Sequence, residues 1–351
     1  MIQPLSRDEV WAVVAGKGCA RRIPVLLHQW TYPGAFGERQ AEVQSILDRF
    51  PQDAQVMAYR APDLYEAPPD DPEYRWMDCD KPVESGGDHG IDEQAAIRDW
   101  NQLDGVLAHF PKPDYPGLFP NRPSPDGRYR IAHWWYGLFE RHWSLRGMTN
   151  TLMDFYTNPD EVHRLYRAYT DFFLRFTERA REELKADAIY WTDDLGTQND
   201  LFFSPEVFDT FYRPYYTEII EKAHSLGMQA WLHTCGNIGK ILPRFIEMGL
   251  DVIHPIQKYA MDEVSVAREF GGRISFWAGF DVQRIIPYGT PDDVRREVRH
   301  LMDAYGRPDG RFLLTAGNGI TPDTPIESLR ALYEEAYSYG RTKARSLCGE
   351  G

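Results

Sequence analysis

The stretch Gln229-Ala-Trp-Leu-His-Thr-Cys-Gly-Asn-Ile238 combines a short apolar run with an abrupt polar end. The run from Ala230 to Leu232 is typical of a buried β-strand, and His233 and Cys235 follow it two residues apart. A histidine and a cysteine in this pattern form a soft metal-binding pair, and Gly236 allows the chain to turn sharply behind them. The stretch therefore predicts a functional site at the end of a buried strand.

Seven further apolar runs alternate with long helical patterns along the chain. They span residues 23–27, 54–59, 129–135, 188–192, 251–254, 274–279 and 312–316. Eight strand–helix repeats predict an α/β fold, a (β/α)₈ TIM barrel that forms a single domain over residues 1–351. In such barrels the chemistry lies where the strands end, so we expect the functional residues to gather at that edge.

Residues 61–128 interrupt the alternation with a long segment that mixes prolines, acidic residues, glycines and aromatics. A loop of this length is rarely structureless inside a compact domain. We interpret the segment as an insertion after the second strand. It is either a cap over the barrel mouth or a surface insertion without a function.

Composition excludes some classes of partner. The chain has 39 Lys and Arg residues against 53 Asp and Glu residues, a formal net charge of −14, which argues against nucleic acid or an anionic membrane as the main partner. The N-terminus lacks the features of a secretory signal, and no apolar stretch approaches the roughly 20 residues that cross a bilayer. The cysteines lack the spacing of a disulfide framework, so we expect a cytoplasmic protein and assign no role to Cys19, Cys79 and Cys348.

Several segments resemble the uroporphyrinogen decarboxylase superfamily. They are residues 187–198, 204–206, 233–237, 249–257 and 317–325. The resemblance is best from about Leu138 to Leu332 and weak before that. It implies a (β/α)₈ barrel, in agreement with the count of apolar runs.

The decarboxylases of this superfamily carry arginines after the first strand, and these hold the carboxylates of a porphyrinogen. This chain has Pro24-Val-Leu-Leu-His-Gln-Trp-Thr-Tyr-Pro33 at that place, with no arginine between Arg22 and Arg39. A neutral rim would bind a polyanion poorly. We therefore expect that the chain is not an authentic uroporphyrinogen decarboxylase.

The other branch of the superfamily contains methyltransferases that move a methyl group between a corrinoid protein and a thiol or folate acceptor. Its thiol-using members resemble this chain at His233 and Cys235, which implies zinc ligands at these two positions. They add a second cysteine where this chain has Asn318, and asparagine is a poor zinc ligand. Either another group completes the ligand set or no metal binds. The candidates for that group are His254, Asp193, Asp194 and Asp281.

Four residues are candidates for catalysis. His233 could act as an acid or base even without a metal, because its pKa is ordinarily near neutrality. Asp193 and Asp194 are adjacent, so they face opposite ways on an extended strand end, and we expect at least one to enter the barrel mouth. Asn318 lies between two glycines and is placed to donate a hydrogen bond to a ligand.

A second group of residues is predicted to bind substrate through neutral hydrogen bonding and stacking. The alternative for each is ordinary packing at the rim. Glu140 and Arg141 are predicted to form a structural ion pair on a helix. The substrate-binding candidates are His28, Gln29, Trp30, Trp134, Tyr136, Gln257 and Asp281.

Three functions are compatible with these patterns. Our principal hypothesis is a methyltransferase that acts on a small-molecule substrate together with a corrinoid-binding protein. The second is a decarboxylase, or related lyase, for a smaller or less anionic substrate. The third is a non-catalytic barrel that binds a corrinoid or another tetrapyrrole.

Overall fold

One parallel sheet organises the part of the chain that the computed structural model describes, residues 2–62, 66–72, 74–75 and 95–349. The order of the strands in the sheet follows their order in the chain, and each neighbouring pair is parallel. The strands are Ala54–Ala58 (β1), Tyr129–Trp134 (β2), Ala188–Thr192 (β3), Gln229–His233 (β4), Val252–His254 (β5), Ser275–Phe280 (β6) and Phe312–Ala316 (β7). All seven correspond to predicted runs.

Helices connect successive strands and pack against the sheet, as Pro159–Leu184 does on β2, Arg213–Ser225 on β4 and Pro291–Tyr305 on β6. Within the described residues, none of them is both long enough and apolar enough to cross a membrane. The helices are Arg7–Val14 (α1), Gln40–Arg49 (α2), Leu103–Ala108 (α3), Leu138–Arg146 (α4), Met148–Thr157 (α5), Pro159–Leu184 (α6), Pro205–Val207 (α7), Arg213–Ser225 (α8), Leu242–Glu247 (α9), Glu263–Phe270 (α10), Ile285–Tyr288 (α11), Pro291–Tyr305 (α12) and Ile326–Cys348 (α13).

Side chains from alternate strand positions fill the space inside the curled sheet. Valines of α1 pack against them and close the amino-terminal end. Since this interior is filled, the carboxyl-terminal ends of the strands are left to carry the polar groups. The inner side chains are Leu26, Ala54, Tyr129, Ile131, Ala188, Tyr190, Trp231, Val252, Trp277 and Leu313.

Residues 23–27, predicted as the first strand, form a single bridge between Val25 and Leu314 of β7. On its other side, Val25 O accepts a hydrogen bond from Asp53 N (3.2 Å), next to β1. Two N–H groups are missing from the ladder, because Pro24 has none and Val25 N donates to the Asp53 carboxylate (2.8 Å). The prediction of a strand is therefore wrong for this run, and a complete eight-stranded barrel remains a prediction.

Cys19 and Cys348 form a disulfide bond, which joins the loop after α1 to the end of α13. This corrects the prediction that neither cysteine has a role. The two positions are 329 residues apart, and spacing along a sequence does not show that the two ends of a chain meet. Cys235 is free, and Cys79 lies outside the described residues.

The predicted insertion, residues 61–128, lies partly outside the described residues. Its described part contains a 3-10 turn, Trp100–Gln102, and α3, which contacts α6. Trp100 Nε1 donates a hydrogen bond to Asp154 (2.9 Å) in α5. These contacts attach the described part to helices outside the sheet. A cap over the barrel mouth remains a prediction.

Candidate functional site

Three donor atoms of different elements meet at the end of β4. His233 Nε2 lies 3.3 Å from Cys235 Sγ and 3.3 Å from Asp194 Oδ1. One ligand atom from each of these residues can be chosen so that all lie within 4.8 Å of one another. Cys235 N also donates to Asp194 Oδ1 (2.7 Å), which fixes the carboxylate beside the sulfur. Nitrogen, sulfur and oxygen donors at this spacing suit zinc.

Hydrogen bonds behind His233 orient its imidazole. Ala316 O, which can only accept, receives a hydrogen bond from His254 Nε2 (3.0 Å), so that nitrogen carries the proton. Burial and the charge of His233 lower the pKa of His254 well below its usual range, so His254 stays neutral. Its Nδ1 then accepts from His233 Nδ1 (2.6 Å). The remaining nitrogen of His233, Nε2, is turned towards Cys235 and Asp194, where it can hold a proton or a metal ion.

The charges around His233 oppose the effect of its burial. Burial would lower the pKa of His233, but Cys235 and Asp194 raise it well above its usual range. Burial would likewise raise the pKa of Asp194, but the hydrogen bond and charge of His233 lower it. The metal-free site therefore holds a proton between the imidazole and the carboxylate.

Asp193 and Asp194 point in opposite directions. Asp193 is fully buried and accepts hydrogen bonds from Phe139 N (3.1 Å) and Glu140 N (2.8 Å), at the first turn of α4. Tyr216 Oη donates to the same carboxylate. Asp193 is thus a cap for α4, whereas Asp194 faces His233. Of the residues that could complete a ligand set, Asp194 is the one that the structure places together with His233 and Cys235.

The loop that carries Cys235 depends on a close approach of two backbones. Gly236 has a φ of +84°, and a Cβ atom there would lie 2.2 Å from the backbone of Gly196. Gly236 N donates to Gln257 Oε1 (2.6 Å), so Gln257, predicted to bind substrate, holds this loop. Cys235 is therefore positioned by backbone packing from the loop after β3 and by a side chain from the loop after β5.

Replacing Gly236 by alanine should displace Cys235 and destabilise the fold. Left-handed backbone costs a residue with a Cβ atom roughly 1–2 kcal/mol, and the contact with Gly196 adds about 1–3 kcal/mol of overpacking. Gly227→Ala is the matched control, because Gly227 has a φ of +69° and open space around its Cα. Urea unfolding measures both. Equal losses in the two variants would contradict the close approach.

A cavity of about 50 Å³ lies beside Cys235. It is large enough for the terminal group of a small ligand. Asn318 lines it, with Nδ2 3.9 Å from Cys235 Sγ and Oδ1 accepting from Gly319 N (2.7 Å). Asp281 also lines it, but its carboxylate accepts hydrogen bonds from Tyr259 Oη (2.7 Å) and from backbone N–H groups before α11. Asp281 therefore serves to order the loop after β6.

An aromatic collar lies next to His233. We use this name for six rings, each packed against the next. The centroid distances are 5.1 Å for Trp30–His254, 4.6 Å for His254–Trp277, 5.1 Å for Trp277–Tyr190, 4.5 Å for Tyr190–His133, 4.6 Å for His133–Trp135 and 6.2 Å for Trp135–Trp30. Of the first-strand candidates, Trp30 reaches the site, with its ring 5.5 Å from that of His233.

Other predicted substrate-binding residues lie elsewhere. His28 Nε2 bonds Phe50 O (2.8 Å), which turns the imidazole away from His233. Trp134 stacks on Phe173 (4.1 Å) in α6, on the outer face of the sheet. Tyr136 is half-exposed, and the Arg141 guanidinium covers its ring. Gln29 has a buried amide with no hydrogen-bond partner among the described residues.

Glu140 belongs to the site, which corrects its prediction as a structural partner of Arg141. Its carboxylate accepts a hydrogen bond from Thr192 Oγ1 (3.1 Å) at the end of β3. Burial and the charges of Asp193 and Asp194 raise the pKa of Glu140 to about 8. Asp193 has three hydrogen-bond donors and Glu140 has fewer, so Glu140 is the carboxyl that keeps its proton. The position of Glu140 in the first turn after β2 is the signal that could have indicated this.

Stability should depend on pH through Glu140. Its pKa rises from the ordinary 4.5 to about 8 on folding, so the folded state binds more protons in that window, and the free energy of unfolding falls as pH increases. Glu140→Gln should make this slope less steep in chelator-treated protein, because it removes one of the groups whose pKa rises on folding; urea unfolding at about pH 5 and about pH 8 measures the slope. Glu178→Gln is the control, because the hydrogen bond from Lys222 lowers the Glu178 pKa. A slope that is as steep in Glu140→Gln as in the wild type would contradict the assignment.

Comparison with known proteins places this site in a family. The model of the family described as Uroporphyrinogen decarboxylase (URO-D) matches residues 143–339, more than half of the chain. The chain belongs to the uroporphyrinogen decarboxylase family. The matched region includes β3 to β7 and therefore the whole of the group formed by Asp194, His233 and Cys235, here called the His233 cluster.

Relatives within the family include both of its branches. A methylated-thiol–coenzyme M methyltransferase from Methanosarcina mazei is 24% identical over 220 residues, which are 62% of this chain and 53% of that protein. A uroporphyrinogen decarboxylase from Xylella fastidiosa is 25% identical over 191 residues, 52% of this chain and 51% of that protein. The chain thus spans about half the length of these relatives.

The fold agrees with that of a solved methyltransferase. The structure of a methyltransferase from Methanosarcina mazei superposes with a TM-score of 0.62 and covers 96% of this chain and 99% of that one. The sequence identity of the two chains is 16%, so this similarity establishes a common fold.

Proposed function

We propose that this protein is a methyltransferase that moves a methyl group between a corrinoid, carried by a partner protein, and a small thiol acceptor. The observation that carries the proposal is the convergence of His233 Nε2, Cys235 Sγ and Asp194 Oδ1 beside a small cavity. The similarity to a methyltransferase of methylated thiols supports it. Because Asn318 stands where thiol-using members have a second cysteine, the proposed ligand set has a single sulfur donor. The carboxylate of Asp194 supplies the third donor atom in our proposal.

The protein's own residues would position the acceptor. Cys235 lines the cavity, Asp194 accepts a hydrogen bond from its backbone N–H, and Gln257 fixes the loop at Gly236. Asn318 presents Nδ2 to the cavity next to Cys235 Sγ. His254 holds the imidazole of His233 in one orientation. Positioning of this kind removes much of the entropic barrier to a reaction between two molecules.

His233, Cys235 and Asp194 fit a zinc ion, since each offers a donor atom that zinc commonly accepts. A bound zinc ion would lower the pKa of an acceptor thiol and so increase the fraction of thiolate. The proton that His233 and Asp194 share would leave when the metal binds, because the imidazole must be deprotonated to act as a ligand.

The cavity does not favour a polyanionic substrate. Among its described lining residues the cationic side chain is Lys258, whose ammonium already bonds Glu263 (3.0 Å) and Glu297. Carboxylates of a porphyrinogen would find little compensation there. A decarboxylase for a less anionic substrate is the second candidate, since Glu140 holds a proton that a carbanion could receive.

A methyl-transfer assay separates these functions. Zinc-loaded protein is mixed with methylcobalamin and either 2-mercaptoethanesulfonate or homocysteine, and loss of methylcobalamin absorbance is followed with detection of the methylated thiol. We expect thiol-dependent turnover. Carbon dioxide release from uroporphyrinogen without methyl transfer would replace the proposal with the decarboxylase. Ligand binding without either reaction would favour a non-catalytic barrel.

A further inference from the structure

Tyr190 lies on the inner face of β3, one layer below the residues that form the candidate site. Its neighbours in register are His133 on β2 and Trp231 on β4. Alternation along β3 places Thr192 on the same inner face as Tyr190 and Asp193 on the outer face. The side chain of Tyr190 is fully buried, and no predicted role accounts for it.

The aromatic collar holds the Tyr190 ring in one position. The ring stacks on His133 with an interplanar angle of 24° and meets Trp277 edge-on at 5.1 Å. Packing on two sides fixes the side-chain rotamer, so the hydroxyl has a defined place. Burial, with the charges of Cys235, Asp194, Tyr32 and Glu140, raises the pKa of Tyr190 well above its usual range. The hydroxyl is therefore protonated and is close enough to feel the charges of the His233 cluster.

The Tyr190 hydroxyl has no hydrogen-bond partner among the described residues. A buried hydroxyl that bonds nothing is unfavourable, and such groups are uncommon in folded proteins. Tyr129, one layer lower in the same interior, shows the usual arrangement, because its hydroxyl bonds Asp187 O (3.3 Å) and Gln229 Oε1. The charges that raise the pKa of Tyr190 include those of Cys235, Asp194 and Glu140, whereas those that raise the pKa of Tyr129 come from Asp187 and Asp251.

We propose that the Tyr190 hydroxyl donates a hydrogen bond to the acceptor bound beside Cys235, and that Tyr190 is a substrate-binding residue of this enzyme. The group that it meets must accept a hydrogen bond, as a thiolate sulfur or an oxygen does. A donor in a buried, preorganised place is stronger than one in water. The identity of the acceptor as a small thiol rests on the proposed function, whereas a ligand contact at this hydroxyl does not.

Tyr190→Phe tests the assignment, because it removes the hydroxyl and keeps the ring. We expect the KM for 2-mercaptoethanesulfonate to rise about 10-fold, the ratio for one lost hydrogen bond, while kcat stays within about 3-fold. The urea midpoint should stay unchanged or rise, since an unpaired buried hydroxyl is lost. Tyr129→Phe is the matched control, and we expect the opposite pattern, with a lower urea midpoint and an unchanged KM.

Each result decides the proposal. An unchanged KM in Tyr190→Phe, or a loss of stability equal to that of Tyr129→Phe, would overturn it. If the wild-type protein transfers no methyl group, the proposed function fails, and calorimetric titration of zinc-loaded protein with 2-mercaptoethanesulfonate then judges Tyr190 alone. Weaker thiol binding in Tyr190→Phe than in wild type supports the assignment, and equal binding or no binding by wild type overturns it.

Discussion

Cys235→Ser should lose bound zinc and lower the rate of thiol methylation by more than about 100-fold. Loss of a ligand affects a metal site at least as strongly as loss of an outer hydrogen bond, which typically costs 10- to 100-fold. Serine keeps the size of the side chain and removes the sulfur that lies 3.3 Å from His233 Nε2. Metal analysis of the purified protein and the methylcobalamin assay measure the two effects.

The chain provides a matched control for this variant. Cys19 and Cys348 are joined to each other far from the site, so a Cys19→Ser and Cys348→Ser double variant should keep zinc and activity. Zinc affinity of the wild type should also fall as pH decreases, because His233 has a raised pKa and its proton competes with the metal. Full zinc content and activity in Cys235→Ser would contradict the proposed site.

Asp53→Ala should destabilise the fold by about 3–5 kcal/mol, the range for breaking a buried ion pair. Asp53 is fully buried and pairs with the buried guanidinium of Arg22. Its carboxylate also accepts hydrogen bonds from Leu5 N (2.7 Å) and Val25 N (2.8 Å). One side chain thus ties the segment before α1, the run at residues 23–27 and the start of β1 together at the amino-terminal end of the sheet.

Urea unfolding measures this effect against an exposed ion pair. Asp292 pairs with Arg295 (3.0 Å) in the first turn of α12, and its side chain is 79% exposed, so Asp292→Asn should change stability by at most about 1 kcal/mol. Similar small losses in the two variants would show that Asp53 does not hold these segments together.

Much of the sheet could be predicted because parallel strands that are buried on both faces give continuous apolar runs. The run at residues 23–27 has the same composition but forms one bridge. The Val25 N–H donates to the side chain of Asp53, which is 28 residues away in sequence, instead of to a neighbouring strand. A local sequence pattern cannot indicate a hydrogen bond to so distant a residue.

The candidate site could be predicted in part. His233 and Cys235 are close in sequence, and their spacing alone indicated a site. Asp194 joins them because β3 and β4 are neighbours in the sheet, which follows from the strand order once the barrel is assumed.

Alternation along β2 could have shown that Trp134 points away from the interior of the sheet. His133 faces the interior, so Trp135, two residues on, joins it in the collar, while Trp134 faces α6. Tyr190 carried no such signal, because an inward tyrosine is usually core. The position of Glu140 in a first helical turn was an ambiguous signal, because a glutamate there usually interacts with the helix dipole.

X-ray absorption at the zinc edge tests the central claim most directly, because it identifies the atoms around the metal without any assumption about the reaction. The zinc-loaded wild-type protein should show one sulfur from Cys235 together with nitrogen and oxygen ligands from His233 and Asp194. Addition of 2-mercaptoethanesulfonate should raise the count to two sulfurs, and Cys235→Ser should remove the first. A spectrum with no sulfur ligand in the wild type, or one that the added thiol leaves unchanged, would contradict a metal site that receives a thiol acceptor.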